Sequence, residues 1–245
     1  MEAAVLMLLD RNDIPAPSLI LGQETARILG RPAIVMSLVD GKPNVNPSDR
    51  EDWVRQLVEA IGRVHATPVP SGILKLIPSA YARYDRWFSQ TEPPEFIARH
   101  PLGLRLWRTL KDLWPGVDKS ARQRIHADYW SGNTLWKDED LVAIIDWEQP
   151  RIGEPTFDVA DLVQDAACFG IDIEQRGIRQ YERSSSRPPR DYGFWRMAVA
   201  MGEMGDMSNP VDWAEGFAEM GGRRITPAEV SAYHAASIEQ MLADA

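Results

Sequence analysis

The stretch that decides the fold of this 245-residue chain reads His126-Ala127-Asp128-Tyr129-Trp130-Ser131-Gly132-Asn133. It places a carboxylate, Asp128, five residues before an amide, Asn133. Thirteen residues after Asn133, at the end of an apolar run, a second carboxylate follows as Asp146. Few other arrangements of polar residues in the sequence have an obvious chemical function.

A polar turn at 137–140 separates two apolar segments and predicts an antiparallel hairpin. Paired strands lie about 5 Å apart, so we expect Asp146 to lie directly opposite Asn133. An amide oxygen and a carboxylate are hard ligands that suit Mg²⁺ together with phosphate oxygens and waters. Asp128 stays off the metal and can accept a hydroxyl proton or orient the hydroxyl, while His126 braces the loop. Together, Asp128, Asn133 and Asp146 predict phosphoryl transfer to a hydroxyl group.

Composition excludes several classes of protein. The net charge of −9 argues against a general nucleic-acid binder. No apolar run approaches the roughly 20 residues needed to span a bilayer, and Glu2 stands where a signal peptide would be positive. The single cysteine, Cys168, rules out an internal disulfide and is interpreted as a buried structural thiol. We therefore expect a cytoplasmic protein with neither nucleic acid nor membrane as a partner.

A strand-rich beginning precedes a long helical remainder, which indicates an α+β fold with two lobes. We expect a small lobe over 1–40, a linker near 40–48 that opens a large helical lobe over 41–245, and a ligand cleft between the lobes. In the small lobe the pattern predicts a helix over 2–10, strands over 18–21 and 25–29, and a buried strand over 33–39. In the large lobe it predicts helices over 49–65 with Ser48 as the N-cap, 79–89, 95–113 (two or three helices), 155–169, 173–184, 191–206, 211–220 and 227–243.

Three features of the helical part each leave two interpretations open. Between 154 and 221 there are 13 acidic residues against 6 arginines and no lysine, which fits solvated helix faces or a cleft that attracts a cation. The aromatic stripe of Tyr81, Tyr84, Trp87 and Phe88 fits core packing or the lining of an acceptor pocket. The segment 184–190 is the best candidate for a mobile loop.

Beyond the spacing of Asp128, Asn133 and Asp146, three segments together resemble the aminoglycoside phosphotransferase family, a branch of the protein-kinase-like fold. They are 126–133, Ala143-Ile144-Ile145-Asp146-Trp147-Glu148 and Gly153-Glu154-Pro155-Thr156-Phe157-Asp158-Val159-Ala160-Asp161-Leu162. The resemblance implies a kinase that moves the γ-phosphate of ATP or GTP, with Mg²⁺, to a hydroxyl of an aminoglycoside, another amino sugar or an amino alcohol.

The same resemblance assigns roles to individual residues. Asp128 would be the catalytic base, and Asn133 and Asp146 would hold Mg²⁺. Asp158 would hydrogen-bond the backbone of the catalytic loop, which differs little from a plain helix cap. His126 belongs to the same loop.

For the nucleotide, the resemblance makes Met36, Ser37 and Val39 part of a hinge that faces the adenine edge. Leu135 and Ile145 would lie beneath the ring. From the residues alone, a run such as 33–39 is more often a plain core strand, and only the family resemblance favours the hinge. Glu2 matches the helix glutamate that pairs with a phosphate-binding lysine.

The chain departs from the family pattern in two places. Ala127 stands where the family often has glycine, a mild change if its φ is negative. The glycine-rich hairpin and the lysine strand should precede the Glu2 helix, and the sequence does not show them. Two alternatives to an active kinase therefore stay open: the chain is a catalytically impaired binding protein, or its start codon is mis-assigned. We also expect an uncovered sheet edge near 18–39 to favour a homodimer or low local stability.

Overall fold

The computed structural model describes residues 1–22, 30–31, 33–185 and 188–245. The chain begins with helix α1 (Glu2–Asp10), as predicted, and continues into an antiparallel pair formed by β1 (Leu19–Leu21) and β2 (Val35–Met36). The strand expected over 25–29 lies outside the described residues. So do two residues of the expected mobile loop, 186 and 187.

The predicted buried strand over 33–39 is wrong in length and in burial. Strand β2 holds two residues, and Val35 and Met36 are 42% and 37% exposed, while Leu38 is 98% exposed. In the described part of the chain, β1 is the one strand that pairs with β2. A run of apolar residues does not reveal whether another layer covers it, which is why the prediction failed. The expected homodimer stays a prediction.

The rest of the chain is mostly helical, and the predicted helices are confirmed with small shifts at their ends. The helices are α2 (Arg50–Ala66), α3 (Ser71–Leu74), α4 (Tyr81–Phe88), α5 (Glu95–Ala98), α6 (Gly103–Leu113), α7 (Thr156–Cys168), α8 (Glu174–Ser185), α9 (Tyr192–Glu203), α10 (Val211–Glu219) and α11 (Pro227–Asp244). The cap of α2 is Asp49, whose carboxylate accepts hydrogen bonds from the Glu51 and Asp52 amides at 2.9 and 3.0 Å. The prediction of Ser48 as the cap was therefore wrong by one residue.

Two further strand pairs frame the motif. Strands β4 (Thr134–Lys137) and β5 (Asp140–Ile144) form the predicted hairpin. Strands β3 (Gln123–Ile125) and β6 (Arg151–Gly153) form a second antiparallel pair that the sequence did not predict.

The register of the hairpin corrects one expectation. Thr134 is paired with Ile144, and the Ile145 amide donates to the Asn133 carbonyl at 2.9 Å. Asn133 therefore lies opposite Ile145, and Asp146 lies one residue further along.

Helix α7 is the centre of the core, since it contributes to three hydrophobic clusters. One face packs against an aromatic cluster that includes Tyr84, Trp114 and Trp195. Another face packs with α1 and α2, whose Leu57 and Ile61 are fully buried. Tyr81, Tyr84 and Phe88 are buried, so core packing accounts for most of the aromatic stripe. No helix among the described residues is long and apolar enough to cross a membrane.

Candidate active site

The loop between β3 and β4 is held by Asp158, in the first turn of α7. The carboxylate accepts hydrogen bonds from the His126 amide and the Ala127 amide, both at 2.8 Å. Nε2 of His65, on α2, lies 2.8 Å from the same carboxylate. Asp158 is fully buried and makes no capping bond to its own helix. Its side chain therefore ties the loop to two helices.

Within the loop, Asn133 fixes Asp128. Nδ2 of Asn133 donates to the backbone carbonyl and to Oδ2 of Asp128, each at 2.9 Å. With Nδ2 engaged in this way, the amide oxygen of Asn133 is the atom left to coordinate a cation. Asn133 is buried and Asp128 is half-buried, so the carboxylate is held in one orientation while it still faces a cavity.

The turn at Ala127 carries backbone strain. Its φ is +67°, so the condition for a mild replacement of glycine is not met. The left-handed region costs a residue with a Cβ roughly 1–2 kcal/mol. Asp146 also has a positive φ, +62°, which is less unusual for an aspartate.

His126 is placed as a brace. It is fully buried, Nε2 donates to the Ile145 carbonyl at 2.8 Å, and its ring centroid lies 4.4 Å from that of Trp147. These contacts join the loop to the end of the hairpin. His126 is not among the residues that line the cavity beside Asp128.

Carboxylates gather on the side of the loop where Mg²⁺ was expected. The pKa of Asp146 is raised by burial and then by Glu148 and Asp128. The pKa of Glu2 is raised by burial and then by Asp146 and Glu148. Neighbouring carboxylates raise each other's pKa when no cation compensates them. Among the described residues, no cluster of three or more Asp, Glu, His or Cys side chains could hold a metal unaided, so phosphate oxygens would have to complete the site.

The segment expected to face the nucleotide base is followed by a residue, Lys42, whose backbone pairs with the strand that contains Leu135. Ser37 pairs with Ser18, since the Ser37 amide donates to the Ser18 carbonyl at 2.9 Å and the Ser37 hydroxyl accepts from the Ser18 amide at 2.9 Å. After Val39, Lys42 pairs with Trp136 through backbone bonds of 3.0 and 2.8 Å. The expected hinge therefore leads directly to β4, which contains Leu135. Leu135 and Ile145 are half-buried.

A cavity of about 430 Å³ opens beside Asp128, and neither Asn133 nor Asp146 is among its lining residues. Its volume falls in the range of small-molecule sites. Six of its lining residues are acidic, and Arg83 is the one basic residue of the lining. The acidic residues are Asp128, Asp161, Asp165, Glu203, Asp206 and Asp212. Aromatic rings line the rest: Tyr84, Trp130, Phe157, Phe169, Trp213 and Phe217.

The acidic lining is electrostatically strained. The pKa of Asp161 is raised well above its usual range by burial and then by Asp128, Asp158 and Glu203. The pKa of Asp165 is raised in the same direction by burial and then by Glu203 and Asp128. A cationic group in the cavity would favour the ionised forms and relieve this repulsion.

The sequence model of the phosphotransferase enzyme family matches residues 1–197 of this chain. The chain belongs to this phosphotransferase family. Membership confirms the resemblance found in the sequence.

Solved structures show the same fold at low identity. Spectinomycin phosphotransferase bound to AMP is 15% identical, with a TM-score of 0.64 over 96% of this chain and 83% of that one. Amicoumacin kinase in a complex with AMP-PNP and Ca²⁺ is 12% identical, with a TM-score of 0.62 over 99% and 76%. The phosphotransferase family member described here therefore has the α+β, protein-kinase-like fold expected from its sequence.

A curated relative is much longer than this phosphotransferase. Acyl-CoA dehydrogenase family member 10 of Mus musculus is 22% identical over 236 residues, which cover 82% of this chain. The match spans 22% of the length of that relative.

The cavity lining is the part of the site that sequence reasoning missed. The acidity of 154–221 was noted as a regional excess, but Asp161, Asp165 and Glu203 were not singled out. A usable signal was present in α7, where Asp161 and Asp165 are four residues apart and hence share one face of a helix.

Proposed function

We propose that the chain transfers the γ-phosphate of ATP or GTP to a hydroxyl group of a small cationic molecule. The observation that carries this proposal is the position of Asp128. Asn133 holds its carboxylate at 2.9 Å, and the same carboxylate lines an acid-rich cavity. A hydroxyl in that cavity would meet an oriented proton acceptor.

In the proposed reaction, the acceptor oxygen bonds to the γ-phosphorus while the bond from that phosphorus to the β-phosphate oxygen breaks. Asp128 orients the acceptor hydroxyl and accepts its proton. Catalysis in this chemistry is mostly positioning and charge stabilisation. The anchoring of the loop by Asp158 supports the contribution from positioning.

The residues present fit a magnesium ion. The amide oxygen of Asn133 and the carboxylate of Asp146 are hard donors, and the pKa of Asp146 is raised by burial and then by the neighbouring carboxylates of Glu148 and Asp128, a setting that a bound cation would relieve. We propose that Asn133 and Asp146 hold Mg²⁺. Bound there, the ion would neutralise charge on the phosphates.

For the nucleotide, we propose that backbone groups of Met36, Ser37 and Val39 face the base, with Leu135 and Ile145 against its ring. The short β2 and the pairing of Lys42 with Trp136 support this proposal, because they place the segment beside β4. We further propose that Glu2 helps to order the phosphate end. The small lobe over 1–40 and the large lobe over 41–245 would then enclose the nucleotide between them.

The cavity favours a cationic acceptor. Asp161, Asp165 and Glu203 gather near Asp128, and the acidic lining outnumbers the basic six to one. A buried carboxylate without a counter-charge is costly, so a protonated amine is the group that fits this wall.

Phosphoryl transfer tests the proposal. The full chain is incubated with Mg²⁺ and γ-labelled ATP or GTP, and with a panel of aminoglycosides, other amino sugars and amino alcohols. We expect labelled product with at least one amine-bearing acceptor, loss of that product in Asp128→Asn, and its retention in Asp112→Asn, which alters an exposed carboxylate on α6. An unchanged rate in Asp128→Asn would contradict the proposed mechanism.

A further inference from the structure

We infer that the acceptor is a compact amino alcohol that carries a flat apolar group, with its hydroxyl, ammonium and flat group in that order along helix α7. This inference rests on the proposed function, because it takes the cavity beside Asp128 as the acceptor site. It adds a third recognition element, an apolar face, and it fixes the sequence of the three elements.

One face of α7 sets the order. Phe157, Asp161, Asp165 and Phe169, the residue that caps the C-terminus of α7, all line the cavity and follow each other at intervals of four residues. Four residues advance a helix by about 6 Å. The side chains therefore form a row along the cavity wall, with two carboxylates in the middle and an aromatic ring at each end.

Asp161 is the member of this row that contacts the catalytic loop. Its Oδ2 accepts a hydrogen bond from the Tyr129 amide at 2.7 Å, and Tyr129 directly follows Asp128. A hydroxyl at Asp128 therefore lies beside Asp161, and in the inferred pose the rest of the acceptor extends along α7 past Asp165 toward Phe169.

Asp165 is the carboxylate that requires a ligand. It is 7% exposed, it lines the cavity, and within the described residues no donor hydrogen-bonds its side chain. Asp161 and Glu203 differ, because Asp161 has the Tyr129 amide and Glu203 has His234 Nε2 at 3.3 Å. A buried, unpartnered carboxylate that faces a cavity calls for a cationic donor. An ammonium group one helical turn from the catalytic loop supplies it.

Beyond Asp165 the wall becomes aromatic. Phe169 stacks on Phe217 with ring centroids 4.0 Å apart and an angle of 6°, and both rings are 2% exposed. Trp213 lies 6.0 Å from Phe169 at 28° and is half-buried. The two phenylalanines thus form a rigid backing, and the indole of Trp213 is the surface left for a flat apolar group.

Three matched probes separate the recognition elements. The probe 2-amino-4-phenylbutan-1-ol has the hydroxyl, the amine and the ring, 2-aminobutan-1-ol lacks the ring, and 4-phenylbutan-1-ol lacks the amine. Binding is measured by calorimetry on the full chain without nucleotide, and transfer is measured separately with Mg²⁺ and ATP. We expect the complete probe to bind at least about tenfold more tightly than either partial probe.

Two substitutions assign the preferences to residues. Asp165→Asn preserves shape and removes charge, so it should abolish the preference for the aminated probe and keep the preference for the phenyl group. Trp213→Leu should abolish the preference for the phenyl group and keep the preference for the aminated probe. Asp112→Asn, outside the cavity, should change neither preference. Circular dichroism spectra and melting curves establish that each variant is folded.

The outcomes are distinct. Equal binding of all three probes, tighter binding of 4-phenylbutan-1-ol, or no binding of any probe at millimolar concentration would overturn the inference. The expected binding pattern without phosphoryl transfer would support the acceptor chemistry and contradict the proposed function. Transfer to acceptors regardless of the amine or the ring would support the function and overturn this inference.

Discussion

Asn133 holds Asp128 by two hydrogen bonds from one nitrogen, to the carbonyl and to the carboxylate, each at 2.9 Å. The five-residue spacing between them closes the loop on itself. The proposed proton acceptor and a proposed metal ligand are thereby fixed relative to each other before any ligand binds. The loop is also tied by Asp158, so its geometry depends on a residue that does not itself line the cavity.

Removal of the Asp158 carboxylate should destabilise the protein. Asp158→Ala leaves the amides of His126 and Ala127 and the ring of His65 without their acceptor in a fully buried place. Buried unpaired groups cost about 1–3 kcal/mol each, so we expect a loss of roughly 3 kcal/mol or more in the free energy of unfolding, measured by urea denaturation. The control is Asp112→Ala on the exposed side of α6. A loss in Asp158→Ala no greater than in this control would contradict the anchoring role.

Relief of the strain at Ala127 should stabilise the protein. Its φ of +67° suits glycine, so Ala127→Gly should raise the free energy of unfolding by about 0.5–1 kcal/mol despite the greater entropy of the unfolded chain. The matched control is Ala236→Gly, an exposed position inside α11, which should lose roughly 1 kcal/mol. Opposite signs are the expected result. A loss at both positions would show that the loop carries no such strain.

The buried Asp165 should make stability depend on pH. Its folded pKa is raised well above the ordinary 3.8, chiefly by burial. The folded protein therefore binds a proton that the unfolded chain releases between those two pKa values. The stabilising contribution is complete below the unfolded pKa and is lost as pH rises through the folded pKa. We expect the Tm of the wild type to fall relative to that of Asp165→Asn as pH increases from about 5 to 8. Parallel Tm curves for these two proteins would refute the prediction.

If Asp146 is a magnesium ligand, its loss should alter the Mg²⁺ dependence of phosphoryl transfer more than the loss of the nearby Glu148. Asp146→Asn should raise the Mg²⁺ concentration for half-maximal transfer by about tenfold or more, since it removes a charged ligand. Glu148→Gln is the matched control, because Glu148 is an exposed carboxylate two residues away, and its effect should be several-fold smaller. Equal shifts in the two variants would indicate a diffuse acidic surface instead of a defined ligand.

The parts of the fold that the sequence predicted are those with strong local signals. The apolar positions Trp53, Leu57 and Ile61 predicted the buried face of α2, and all three are buried. The cap was missed by one residue because Ser48 and Asp49 are both good capping residues, and only the backbone angles decide between them.

The parts that escaped prediction depend on tertiary contacts. Strand β3 has three residues and contains Arg124, which is fully buried. Burial lowers its pKa to about 10, and such a residue gives no strand signal. The exposure of Val35 and the contribution of Asp165 to the cavity likewise depend on which elements lie across from them. Charge counts revealed the acidity of the region, but they did not reveal where the carboxylates converge.

The role of Asp128 is tested most directly by comparing Asp128→Asn with the wild type in two assays, phosphoryl transfer and binding of Mg·ATP. We predict that kcat falls by about 100-fold or more, as for the loss of a general base, while the Kd for Mg·ATP changes less than about threefold, because Asp128 is proposed to contact the acceptor and not the nucleotide. A kcat within about threefold of the wild-type value would contradict the assignment of Asp128 as the proton acceptor and with it the proposed phosphoryl transfer mechanism.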